Sequence, residues 1–218
     1  MILKYLWKWE KEKMQKMRKS IGLVLVLWWT ATLPAEALWV DPGPEQIQEA
    51  IRWGKANLEE RKAKGLEIDG EDAEWEVNLG EGKGKGRVYL QSPFAMISFE
   101  ARKYAAIQME VPSWQIDSIL LQTKGKLLMS IALYGKERYF ARKYRVFLEA
   151  DGKRIEPNWV DVHRGVSYGL DDSEAPLRAA YNVAFPLEKI NPNSLVTLIA
   201  VDPQGNETRF PFDLSKMR

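Results

Sequence analysis

The chain contains no cysteine. It therefore has no disulfide, no thiolate zinc site and no thiol for lipid attachment behind a leader. Histidine is nearly as scarce: His163 stands alone, which excludes catalytic zinc centres built from several imidazoles. There is no apolar run of the roughly 20 residues that a spanning helix needs. The longest, Ile21–Leu33, has 13. Internal repeats are also missing, which argues against a solenoid.

A surplus of positive charge is lacking too, once the N-terminus is set apart. The full chain carries 32 Lys+Arg and 30 Asp+Glu; residues 1–37 hold seven and three of these, leaving 25 and 27, a net of −2, for residues 38–218. A net-acidic remainder gives no reason to expect nucleic-acid binding.

The N-terminus reads as a targeting segment. Lys4 to Lys19 is a basic lead, Ile21–Leu33 an apolar stretch, and Ala35-Glu36-Ala37 puts small residues where a signal peptidase reads. Residues 1–37 are thus expected to be a signal peptide, with Ala35 and Ala37 defining the cleavage site. A translation start at Met17 or Met14 fits a leader of ordinary length. The expected destination is the periplasm or the medium. The alternative is an uncleaved segment, with residues 21–33 as a membrane anchor and the chain's one contact with lipid.

The remaining residues predict an α+β fold: an immunoglobulin-like antiparallel β-sandwich with N-terminal helices packed on it. Residues 38–123 are expected to form a helix-rich portion with a short β-hairpin, and residues 124–218 the sandwich, the two making one domain. Ile47, Ala50, Ile51, Gly54 and Leu58 recur at helical spacing between Pro44 and Gly65. Ser92-Pro93 is a helix start, with Ser as N-cap and Pro in the first turn. Strand-like runs cover Trp75–Leu79 and Arg87–Gln91, joined by the glycine-rich Gly80–Gly86. Further runs cover Leu127–Tyr134, Arg142–Ala150, Arg154–Val162, Ala179–Phe185, Leu195–Val201 and Glu207–Leu214. Leu127–Tyr134 and Arg142–Ala150 read as a central hairpin around the loop Gly135–Ala141. In its second strand Tyr144, Val146 and Leu148 share one face, and Arg145, Phe147 and Glu149 the other.

Most motifs fail on inspection. Gly80–Gly86 has neither the Walker register nor GxGxxG. Asp161 and His163 share a strand face, but neither Ser167 nor Ser173 lies in a nucleophile-elbow sequence. Asp171, Asp172 and Glu174 lack the ligand spacing of a calcium loop. Of the tryptophans beyond residue 37 (Trp39, Trp53, Trp75, Trp114 and Trp159), packing in a core or groove is expected. No catalytic, cofactor or metal residues are assigned.

One feature stands out against the net-acidic background. Lys136, Arg138, Tyr139, Arg142, Lys143 and Arg145 mix cations with aromatic groups in the composition favoured at interfaces. They are the expected interaction surface, toward another envelope protein or an acidic polymer. The function expected is that of a non-enzymatic binding or structural module of the bacterial cell envelope. The alternative is a hydrolase of envelope polymer using carboxylates that spacing in sequence does not reveal. Mass measurement of the exported protein should place its N-terminus at Leu38; retention of Ile21–Leu33 would replace release with anchoring.

Overall fold

The computed structural model describes residues 38–218 apart from 69, 71 and 168–172. The expected signal segment, with Ala35 and Ala37, lies outside the described residues, as do Asp171 and Asp172 of the acidic loop.

Three helices are described. Helix α1 (Pro44–Lys64) has Pro in its first turn and ends where Gly65 adopts the left-handed conformation; Gly65 N and Leu66 N donate to Lys62 O and Arg61 O. It buries Ala50, Ile51, Gly54 and Leu58. Helix α2 (Pro93–Ala106) starts at Ser92, whose Oγ accepts from Ala95 N at 3.1 Å. Helix α3 (Ser113–Thr123) follows Pro112 and buries Ile119 and Thr123. Helices α1 and α2 pack backbone to backbone at Gly54. A Cβ there would stand 2.1 Å from Ser98 O, and Ser98 Oγ donates to Ala50 O at 3.1 Å. Only glycine permits so close an approach.

The strands are β1 (Glu76–Asn78), β2 (Gly86–Gln91), β3 (Lys126–Gly135), β4 (Arg145–Ala150), β5 (Lys153–Ile155), β6 (Trp159–Val162), β7 (Val166–Ser167), β8 (Leu177–Pro186), β9 (Leu195–Val201) and β10 (Glu207–Asp213). They form two wholly antiparallel sheets. One has six strands in the order β1-β2-β3-β8-β6, with β7 also on β8; the other has four, β10-β9-β4-β5. Alternation puts Met129, Ile131 and Val183 of the first sheet and Leu148, Leu198 and Phe210 of the second into one buried cluster. The fold is therefore α+β and sandwich-like, as expected. The finer immunoglobulin-like assignment does not follow from these strand orders.

The expected central hairpin is not formed. β3 pairs with β2 and β8, whereas β4 pairs with β9 and β5, in the other sheet. The reason lies in the connection. Phe140 and Ala141 are buried in a short 3-10 turn, Phe140–Lys143, and the Phe140 ring lies against Gly135, where a Cβ would stand 2.4 Å from it. The chain thus folds over the end of the sandwich and enters the second sheet. The expected strand Arg154–Val162 is likewise split at Pro157: β5 joins the four-stranded sheet and β6 the six-stranded one. The alternation read in β4 stands: Val146 and Leu148 belong to the main core, and Arg145 is exposed on the opposite face.

A buried charge network ties the helices to the segment before β1. Arg102, on α2, is fully buried. Its Nη1 donates to both Asp72 carboxylate oxygens at 2.8 and 2.7 Å and to Asn57 Oδ1 at 2.7 Å; its Nη2 donates to Gly70 O at 2.6 Å. Arg61 Nη1 reaches Asp72 Oδ1 at 3.0 Å. Removing one member of such a network strands a buried charge. Asp72→Ala should lower the melting temperature by roughly 10 °C, and Asp72→Leu with Arg102→Met should recover part of that loss, as thermal denaturation will show.

Candidate functional site at the loop end of the sandwich

Four segments far apart in sequence meet at one end of the sandwich: the β1–β2 loop, the β3–β4 connection, the residues just ahead of β8 and the β9–β10 turn. They enclose an open cleft of about 670 Å³. Lys83 comes from the first, Lys136, Glu137, Lys143 and Tyr144 from the second with Tyr134 at the end of β3 beside them, Glu174 from the third, and Asp202, Pro203, Gln204 and Asn206 from the fourth.

Each wall is held by local bonds. Lys83 Nζ pairs with Glu174 Oε2 at 2.7 Å, linking two loops across the cleft. Lys143 pairs with Glu137 along the connection. Asp202 closes the β9–β10 turn on itself: Oδ1 accepts from Gln204 N at 2.9 Å and Asn206 N at 2.8 Å, and Oδ2 from Asn206 Nδ2 at 2.8 Å.

The sequence-predicted residues divide between two surfaces. Lys136 and Lys143 line the cleft. Beside it on the same connection, the Arg138 and Arg142 guanidiniums lie 5.7 and 4.8 Å from the centroid of the Tyr139 ring, which is 46% exposed. The connection is tethered where Gly165 N donates to Arg138 O at 2.7 Å. Arg145 is not part of this group. It lies over Phe147 on the outer face of the four-stranded sheet, at 5.9 Å. There Phe147, Ile199 and Val201 form a small second cluster. Beside it, Arg154 pairs with Glu207, and Arg209 bridges Glu207 and Glu149.

No protein-family model matches the chain, and no curated protein matches it. Two solved structures show a slight likeness. The archaellum periplasmic stator protein FlaG from Sulfolobus acidocaldarius is 12% identical over 40% of this chain and 86% of its own, with a TM-score of 0.27. The archaellum periplasmic stator protein complex FlaF and FlaG from the same organism is 12% identical over 40% and 77%, with a TM-score of 0.26. Likenesses this slight carry no argument about this chain.

The electrostatics of the cleft follow from its contacts. The hydrogen bond and charge of Lys143 hold Glu137 below the usual carboxylate range. The side-chain hydrogen bond from Asn206 does the same for Asp202, joined by backbone hydrogen bonds from the turn and opposed by desolvation. Burial raises the Tyr144 phenol, with the Asp202 charge adding to it and Lys83 opposing. Tyr181 is 1% exposed on the inner face of β8; burial, reinforced by Tyr144, pushes its phenol well above the ordinary range. Among the described residues, no group of His, Asp and Glu side chains could hold a metal ion.

Sequence reasoning missed Lys83, Glu174, Tyr144 and Asp202 as neighbours. The one available signal was the Asp202–Asn206 turn, which marks a strand connection and not what that connection faces. The other missed group is Tyr181, whose hydroxyl is buried with no hydrogen-bond partner among the described residues. An unpartnered buried hydroxyl costs stability, so Tyr181→Phe should be neutral or stabilising by about 1 kcal/mol. Unfolded tyrosine ionises near pH 10, while folded Tyr181 stays neutral to higher pH. Its contribution is therefore complete below about pH 10 and lost as pH rises beyond it. Alkaline denaturation of Tyr181→Phe should set in at higher pH than in the wild type, and an unchanged alkaline limb would remove Tyr181 from the account.

Proposed function

We propose that this protein is an exported, non-enzymatic binding module of the bacterial cell envelope. In this reading it captures an acidic partner, an envelope protein or polymer, with the β3–β4 connection and the cleft beside it. The observation that carries the reading is the Arg138–Tyr139–Arg142 stack, exposed at the cleft edge together with Lys136. Along Lys136–Lys143 four cations stand against one carboxylate, Glu137. Guanidiniums held over an aromatic ring offer an acidic partner hydrogen bonds and charge from an ordered platform.

The N-terminal pattern supports export to the periplasm or the medium. Residues 38–218 are the working portion in this account, with residues 1–37 serving delivery. A polymer hydrolase is the less supported reading. General acid catalysis wants a carboxyl group with a raised pKa, and Glu137 and Asp202 are both shifted the other way.

The test is charge reversal at two exposed positions. Lys136→Glu with Arg138→Glu should leave the melting temperature nearly unchanged. It should weaken capture of envelope components by about tenfold at low salt, with the difference shrinking as salt rises. Equal capture by wild type and variant across a salt series would remove this surface from the function.

A further inference from the structure

The cations of the cleft edge do not stop at the β3–β4 connection. Gly165 N donates to Arg138 O at 2.7 Å, which seats the β6–β7 loop on that connection. The seat is tight: a Cβ on Gly165 would stand 3.2 Å from Leu177 and 3.3 Å from both Arg138 O and Phe140. Arg164, one residue before, is exposed. It lines a second open cavity, of about 460 Å³, with His163, Val166, Arg178 and Ala180.

The two cavities adjoin across one ladder. Tyr134 lines the cleft, Arg178 lines the second cavity, and the two residues are direct partners in the pairing of β3 with β8. Residues opposite each other on antiparallel strands lie about 5 Å apart. Positive charge therefore stands on both sides of this ladder. Among the described residues, Lys136, Arg138, Arg142 and Arg164 have no carboxylate partner. The carboxylates nearest to them in sequence face other groups: Glu137 pairs with Lys143, and Asp161 lies 3.3 Å from His163.

We propose that Arg164 and the second cavity are an additional binding subsite, and that the partner is a linear polyanion laid across the cleft edge and this cavity. The inference rests on the reading of the cleft edge given above; Arg164 and the linear form of the partner are what it adds. A folded protein partner is held by an apolar centre inside a polar rim. Of the residues that line the two cavities or belong to the connection, the large apolar ones left exposed are Tyr139 and Val166, and Tyr139 lies beneath two guanidiniums. Cations spread over two adjoining cavities, without an apolar centre, fit a chain that carries oxyanions at regular intervals. Guanidiniums take carboxylate or phosphate oxygens through paired N–H donors. Such a chain meets Lys136 and the Arg138–Tyr139–Arg142 stack on one side of the ladder and Arg164 on the other.

The test titrates the protein, as its own cells process it, with poly-L-glutamate and with long-chain inorganic polyphosphate at low salt. The wild type should bind at least one of the two, and the tighter of them identifies the oxyanion. Arg164→Glu should weaken that binding by about tenfold, and Arg164→Gln by less, both with an unchanged melting temperature because the side chain is exposed. Lys189→Glu makes the same change of charge at an exposed position beyond the far end of β8 and should leave binding as it was. Equal losses in Arg164→Glu and Lys189→Glu would reduce the effect to net charge and overturn the subsite. Unchanged binding in Arg164→Glu overturns it too. Lys136→Glu with Arg138→Glu then shows whether the cleft-edge reading survives, by weakening the binding or failing to. A wild type that binds neither polymer overturns the polyanion.

Discussion

Leu127, Met129, Ile131 and Leu133 point to one side of β3 while Leu128, Ala132 and Tyr134 point to the other, and all are buried. A strand apolar on both faces needs cover on both. The four-stranded sheet supplies one cover, through Val146, Leu148, Leu198 and Phe210. The other side is served in part by α3, which packs beside β3 and borders a groove with Tyr89 and Gln91. Each large side chain so buried contributes about 1.5–3 kcal/mol, more than any surface ion pair here. This demand places β3 inside its sheet, with β2 and β8 on either side.

The helices answer a second demand. Trp39, Trp53, Trp75 and Phe94 meet edge to face or tilted, with centroids 5.0 to 6.0 Å apart. This aromatic cluster joins α1, α2 and the turn before β1. The Arg102–Asp72 network lies where the same three elements meet. Apolar packing alone would let that segment slide; a buried guanidinium with four fixed acceptors allows one arrangement. Trp114 and Trp159, by contrast, are half exposed or more, so the expectation of packed tryptophans holds for three of the five.

The walls at the loop end of the sandwich come mainly from connections between strands, where sequence varies more freely than within a core. Lys83 and Glu174, 91 residues apart, bridge two of those loops. The connection that carries the cations is anchored from below by Phe140 and Ala141, so its charged residues project from a packed base.

Local rules were enough for much of this. Pro44, Gly65, Ser92 and Pro93 mark helix ends because capping is decided within a few residues. Period-two alternation set which face of β4 would be buried. The class, α+β and sandwich-like, follows from those elements. Adjacency in sequence failed at β3 and β4, since a connection that can bury Phe140 reaches the opposite sheet as readily as it turns a hairpin. It failed again for Arg145, which left the cationic group once β4 entered that sheet. The partners of Arg102, the phenols of Tyr144 and Tyr181 and the meeting of four loops at one cleft were decided by tertiary structure alone. Those contacts join residues far apart in the chain, and burial and charge at such points depend on how two sheets face each other. No local pattern in the sequence records that.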